Sequence, residues 1–173
     1  MDAVNKETLK MVMHNWTSGV GVVTSSYQEE HSGTTISSFA SVSLDPPLVL
    51  FNLTGENATR MLIEQSGTFG VSMLAYDQRG LSEIFAGFGR RVENRFEGLQ
   101  TFKLKSGAPL LPDALAWLDC EVFQIVPLPG SSLIIGKVLD GKMGEYRCPL
   151  VYHNRAYVDI INDSACKGKI RAS

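Results

Sequence analysis

The chain has 173 residues, of which 44% are hydrophobic, 20% charged and 9% aromatic, with a mean hydropathy of +0.01. This is the composition of one globular domain large enough to bury a core without metal or disulfide staples, and it excludes disordered, collagen-like and coiled-coil readings. A net charge of −2 argues against a nucleic-acid or anionic-membrane binder, because both need concentrated basic surface. A phosphate on a small ligand needs only a few local donors. No run approaches the roughly 18 to 20 apolar residues of a transmembrane helix, and Met1 to Glu7 lacks a secretory signal pattern. Cys120, Cys148 and Cys166 form no Cys-x-x-Cys pair, so neither a disulfide scaffold nor a metal site is expected, and the expected location is the cytoplasm.

In chain order, Leu9, Val12, Met13 and Trp16 fall at i, i+3, i+4 and i+7, which predicts an opening helix with one apolar stripe, stopped by Gly19. Val20 to Thr24 predicts a strand. Ser25 to Gly33 predicts a polar loop with Glu29, Glu30 and His31 at its tip, and Thr34 to Ser43 an extended segment rich in hydroxyls. Asp45-Pro46-Pro47 bars any helix. Leu48 to Leu53 predicts a strand buried on both faces. Asn57 is a good N-cap for a short helix over Ala58 to Ser66, with Gly67 as its stop. Phe69 to Leu74 predicts another strand, and Asp77 a cap for a second helix in which Leu81, Ile84 and Phe85 share a face.

Gly89 to Gln100 is charged and irregular, with Arg90, Arg91, Glu93, Arg95 and Glu97. It reads either as a solvated loop or as a contact for a cofactor's phosphates. Ala116 to Ile125 and Ser132 to Leu139 predict strands, followed by one around Leu150 to His153 or Tyr157 to Ile161 and a frayed basic tail from Lys167 to Ser173. With no repeat and no linker composition, residues 1–173 are expected to form a single domain, with a core over about 8–161 and a tail over 162–173. Six or seven short strands with three modest helices do not alternate as βαβ units. The expected fold is mainly β, an antiparallel sheet that closes or nearly closes into a barrel with a few peripheral helices.

His14, His31 and His153 lie far apart, and no His-Glu-x-x-His, Gly-x-Ser-x-Gly or nucleotide phosphate loop occurs. Two stretches carry more signal. Thr34 to Ser43 is dense in small hydroxyls, which either face water or offer donors and acceptors to a flat heteroaromatic ligand. At Asn57-Ala58-Thr59-Arg60 a helix N-terminus suits a phosphate. Arg60 in the first turn opposes the helix dipole, a mismatch that a bound anion would repair and that solvent would merely tolerate. Cys120 reads as a packed core residue, and Trp16 and Trp117 as core or dimer interface.

Taken in order, Ser18-Gly19-Val20-Gly21-Val22-Val23-Thr24, Thr35-Ile36-Ser37-Ser38-Phe39-Ala40-Ser41-Val42-Ser43-Leu44-Asp45-Pro46-Pro47, Phe69 to Leu74 with Gln78, Phe85-Ala86-Gly87, Arg95-Phe96, Gly107-Ala108-Pro109-Leu110, Trp117-Leu118-Asp119-Cys120 and Pro149 to His153 resemble the flavin reductase family. These are FMN-binding split barrels of Greek-key type, the reductase components of two-component flavin-dependent monooxygenases. The resemblance runs from about Trp16 to Tyr157. It implies a homodimer binding FMN or FAD near the dimer interface and passing a hydride from NADH or NADPH to the flavin. Many members then release reduced flavin to a partner monooxygenase.

Carried over by position, the resemblance implies that Thr35, Ser37, Ser38, Val42 and Ser43 line the isoalloxazine ring and ribityl chain. Asn57, Thr59 and Arg60 match the phosphate-holding turn, and Phe85 and Ala86 border the flavin from the second helix. Hydride transfer between cofactors needs no acid or base, so no catalytic side chain is assigned. Many members carry Gly-Asp-His where this chain has Gly130-Ser131-Ser132, so Ser132 and His153 are the candidates for the nicotinamide side. Ser72 stands where an asparagine is common. The expected function is a NAD(P)H-dependent flavin reductase. One alternative is an FMN-holding electron-transfer or metal-reducing flavoprotein with poor nicotinamide use, favoured mildly by Ser131-Ser132; another is a non-catalytic flavin binder.

Overall fold

The computed structural model describes residues 3–87, 94–160 and 166. Its framework is a seven-stranded antiparallel sheet built from β2 (Gly21–Tyr27), β3 (Glu30–Ile36), β4 (Ala40–Leu44), β5 (Pro47–Thr54), β6 (Thr68–Met73), β9 (Ala116–Leu128) and β10 (Ser131–Met143). The spatial order is β3-β2-β6-β9-β10-β5-β4. Strand β3 curls back to within 8 Å of β5, so the sheet nearly closes as a split barrel. Strand β1 (Ser18–Gly19) joins the hairpin of β11 (Val151–His153) and β12 (Ala156–Val158) in a second sheet, and β7 (Phe102–Lys103) pairs with β8 (Pro109–Leu110).

The barrel interior holds Val23, Ile36, Phe51, Phe69, Cys120 and Ile134, with the Phe51 and Phe69 rings edge to face at 5.0 Å. Gly136 lies against Phe69, where a Cβ would sit 2.6 Å from Cε1; only glycine lets the strand pass that ring. Three α-helices, α1 (Lys6–Met13), α2 (Ala58–Ser66) and α3 (Arg79–Ala86), and one 3-10 turn over Tyr76–Gln78 have defined bounds among the described residues. Helix α2 carries the chain from β5 across to β6 and packs on β2 and β3. Helix α3 sends Phe85 into a second cluster with Val20, Val22, Leu74, Leu111 and Leu150. No helix of the described residues is long and apolar enough to cross a membrane.

Local chemistry fixed α2 as expected, with Asn57 capping it and Gly67 ending it in the left-handed region at φ 70°. Other segments depart from expectation. The expected loop over Ser25 to Gly33 is a hairpin whose two-residue tip is Gln28-Glu29, because Gln28 adopts a positive φ of 54°. Residues Thr34 to Ser43 are not one extended run, since Ser37 to Phe39 separate β3 from β4. Strand β5 alternates: Val49, Phe51 and Leu53 are buried and the residues between them only partly so. Both late strands exist, as the two arms of one hairpin.

The opening helix stops at Met13 and buries none of its residues, and Trp16 lies beyond it, 70% exposed. Asp77 caps nothing; it pairs with Arg147 at 2.8 Å, and Ile84 turns outward while Ser82 joins the buried face of α3. Trp117 is buried beside Leu110 and Ala114, its indole N–H donating to the Leu111 carbonyl at 2.6 Å. Arg90, Arg91 and Glu93, the end of the expected last strand at Ile161, and the tail at 162–165 and 167–173 lie outside the described residues.

Candidate functional site

Between β3, the first turn of α2 and the segment at Asn94–Phe96 lies a cleft of about 1060 Å³, closed at one side by Tyr152 and Tyr157. The elements around it are tied together by hydroxyls. Thr59 Oγ1 and Ser32 Oγ are 2.9 Å apart and fasten α2 to β3. The Thr35 hydroxyl donates to the Ser82 carbonyl at 2.7 Å, fastening β3 to α3. Ser82 is fully buried and its own hydroxyl meets the Tyr157 hydroxyl at 2.8 Å. Tyr157 in turn stacks edge-on with Tyr152 and lies beneath the Arg79 guanidinium, 5.0 Å from its ring centre.

Asn57 has an extended backbone, and its side-chain oxygen accepts from the Thr59 and Arg60 amides at 2.9 and 3.3 Å. The opposite wall depends on Arg95, whose Nη1 donates to the carbonyls of Gly33 at 3.0 Å and Phe85 at 2.9 Å. Phe96 continues that wall, edge-on to both Phe85 and His31.

Of the residues that the resemblance assigned to the ligands, Thr35, Ser37, Asn57, Thr59 and Ala86 line this cleft together, and so does Arg95, from the charged segment that read either as a solvated loop or as a phosphate contact. The others lie elsewhere. Ser38 is stitched to β5, its hydroxyl donating to the Asn52 carbonyl and accepting from the Asn52 amide; it borders a neighbouring hollow of about 310 Å³. Val42 and Ser43 sit on β4, which pairs with β5, and neither is part of the cleft lining. Phe85 is fully buried in the core between α3 and β2, so its ring faces protein rather than the cleft.

Arg60 leans away along its helix. Its Nη1 donates to Ser132 Oγ at 3.4 Å, and its Nε approaches Glu64 Oε1 at 3.4 Å without the alignment of a hydrogen bond. Arg60, matched to the flavin's phosphate, and Ser132, a candidate for the nicotinamide side, therefore touch each other. His153 lies outside the cleft lining, with Nδ1 2.8 Å from Thr17 Oγ1. Cys120 is a buried core residue, its thiol pushed up to about 12 by burial and secondarily by Asp119. Among the described residues, no group of three or more His, Cys, Asp and Glu is placed to hold a metal.

The sequence assigned no site role to His31, Ser32, Phe96, Tyr152 or Tyr157, all of which line the cleft. The alternation of small polar residues along β3 was the available signal for Ser32; nothing local marked the two tyrosines. The cleft matches the upper end of the roughly 300 to 1000 Å³ typical of cofactor sites. Its hydroxyls, carbonyl-rich strand and aromatic wall suit a flat, polar-edged heteroaromatic ligand with an anionic tail near α2, so the residues present fit a flavin nucleotide.

Residues 13–160 match the family described as Flavin reductase like domain. The chain is 36% identical over 140 residues to the reductase component of flavin-dependent trigonelline monooxygenase from Acinetobacter baylyi, covering 80% of this chain but 44% of that longer protein. It is 34% identical over 152 residues to the reductase component of 4-hydroxyphenylacetate 3-monooxygenase from Thermus thermophilus, covering 88% of this chain and 95% of that one. Among solved structures, the NADH:FAD oxidoreductase SgcE6 of Streptomyces globisporus C-1027 superposes with a TM-score of 0.81 at 28% identity, covering 91% of this chain and 95% of that one.

Proposed function

The chain belongs to the flavin reductase family, and from that premise we propose that it transfers a hydride from NADH or NADPH to FMN or FAD held in the cleft between β3 and α2. It acts in the cytoplasm as a homodimer and supplies reduced flavin to a partner monooxygenase. The observation that carries this reading is the convergence of Thr35, Ser37, Asn57, Thr59 and Ala86, from three separate elements, on one cleft of about 1060 Å³. The names of the relatives support the reductase activity and the oxygenase partner, and SgcE6 supports a nicotinamide donor.

A bound flavin supplies the hydride chemistry, and the protein supplies orientation and electrostatics. The Thr35 hydroxyl hydrogen is committed to the Ser82 carbonyl, so toward a ligand Thr35 presents only a lone pair and selects a donor on the ligand's edge. Ser37 is free of that constraint and either donates or accepts. The Asn57 cap holds the first turn of α2 with its positive end toward the cleft, which favours a phosphate there. Phe96, Tyr152 and Tyr157 present apolar surface that excludes water from the reacting face.

The test is anaerobic: the protein is reconstituted with FMN or FAD, NADH or NADPH is added, and the flavin's yellow absorbance is followed. Bleaching at a catalytic rate is the expected outcome. Flavin that stays oxidised with both donors defeats the reductase reading. In that case the second reading, a flavoprotein that keeps FMN and draws electrons elsewhere, takes its place. Ser132 favours it, because the position that carries a histidine in many members here holds a buried serine occupied with Arg60. Tight flavin retention through gel filtration would mark that case.

A further inference from the structure

We propose that Arg95 is the cation that meets the ligand's phosphate in the cleft, and that it is pre-oriented for this by the two carbonyls it binds. The proposal rests on the flavin reading above and deepens it. Three observations carry it. Arg95 is the only lysine or arginine among the described residues that line the cleft, whereas Glu30 and Glu56 line it too. Among the described side chains, the carboxylates of Glu30 and Glu56 repel an anion entering the cleft, and Arg95 is the one formal cation that attracts it, adding to the partial positive charge at the start of α2.

Second, Arg95 has no carboxylate partner among the described residues, whereas Arg60, Arg79 and Arg147 each lie beside one. The half-buried guanidinium spends Nη1 on Gly33 and Phe85, and its Nη2 lies close to Gly87, where a Cβ would be 3.1 Å away. The Phe85 carbonyl belongs to the last turn of α3, where a cation is favoured by the helix dipole. Carbonyl dipoles orient the group without neutralising it, so among the described residues nothing cancels the charge it offers a ligand. A planar fork fixed in this way suits phosphate oxygens.

Third, Arg60, the arginine that the sequence placed at the phosphate, turns toward Ser132 and lies beside Glu64, and it is not part of the cleft wall. The tail of the ligand then lies between the first turn of α2 and Arg95, rather than over the outer face of α2.

The experiment titrates riboflavin, FMN and FAD into the wild-type protein and into Arg95→Gln, Arg95→Lys and Arg60→Gln by flavin fluorescence. Riboflavin lacks the phosphate and is the internal control. Arg95→Gln is expected to weaken FMN and FAD by about 10- to 100-fold and riboflavin by less than about threefold, the size of a lost charge-assisted hydrogen bond. Arg95→Lys, which keeps the charge and loses the fork, is expected to recover part of the FMN affinity. Should Arg95→Gln fail to fold, Arg95→Lys carries the test: a loss confined to the phosphorylated flavins supports the proposal. Equal weakening of all three flavins makes Arg95 only a structural tie and overturns it, as does a larger phosphate-dependent loss in Arg60→Gln. Wild-type protein that binds none of the three overturns the flavin reading itself, an outcome separate from any behaviour of the variants.

Discussion

The hydroxyl of Thr35 and the carbonyl of Ser82 meet at 2.7 Å, and Ser82 passes the connection on to Tyr157 at 2.8 Å. This chain of contacts joins β3, α3 and β12 around one end of the cleft. Thr35→Val removes the bond and the lone pair while keeping the shape. It is expected to cost about 0.5 to 1.5 kcal/mol of stability and to weaken flavin binding, whereas Thr35→Ser retains both. Urea denaturation and flavin titration read the two effects. Tyr157→Phe leaves the buried Ser82 hydroxyl without its partner and is expected to cost about 1 to 3 kcal/mol.

Gly33 lies where β3 passes α3. A Cβ there would stand 2.7 Å from Phe85 Cε1 and 3.1 Å from Thr24 Cγ2. Gly33→Ala must push the strand away from the helix, at an expected cost of about 1 to 3 kcal/mol. Gly19 has nothing within 4 Å of the same position, and Gly19→Ala is expected to stay within about 0.5 kcal/mol of the wild type. Equal midpoints for the two variants would contradict the packing described.

Asn57 has two separable roles. As an N-cap it is equalled by aspartate, so Asn57→Asp should retain stability, whereas Asn57→Ala loses about 0.5 to 2 kcal/mol. The added carboxylate would face a phosphate bound at the first turn of α2. Asn57→Asp is thus expected to bind FMN more weakly while riboflavin is spared. Unchanged FMN affinity in a stable Asn57→Asp protein would remove the phosphate from this turn.

Cys120 makes stability depend on alkaline pH. Its thiol is raised from 9.0 to about 12, first by burial and then by Asp119. Between these values the unfolded chain loses the proton and the native one keeps it. The stabilisation is therefore complete below pH 9 and declines as pH rises toward 12. Urea midpoints measured from pH 8 to pH 10.5 should fall less steeply in Cys120→Ala than in the wild type. For the same reason the native thiol should resist alkylation at pH 8.

The elements legible in the sequence were those set by neighbours along the chain. Asn57 and Gly67 bounded α2 because capping oxygens and left-handed glycines act within a few residues. The hairpin at Gln28-Glu29 was not legible, because its outer strand is a sheet edge whose Glu30 and His31 stay in water and look like loop residues. Phe85 showed the same limit in another form. Helical spacing placed it on an apolar face, but only the packing of α3 on β2 decided that its ring meets Val22 and Leu111.

By itself the sequence determined a mainly β chain, a hydroxyl-rich segment whose first residues, Thr34 to Ser37, form one wall of the cleft, the capped turn beside it and, through its ordered landmarks, the family. The tertiary structure alone decided which charged and aromatic side chains face the cleft. Arg60 turned to Ser132, Arg95 turned inward to Gly33 and Phe85, and Tyr152 and Tyr157 arrived from a hairpin more than a hundred residues beyond β3. Capping and alternation act over a few bonds and leave their mark on local sequence. The direction of a long side chain is settled by partners that only the closed sheet brings within reach.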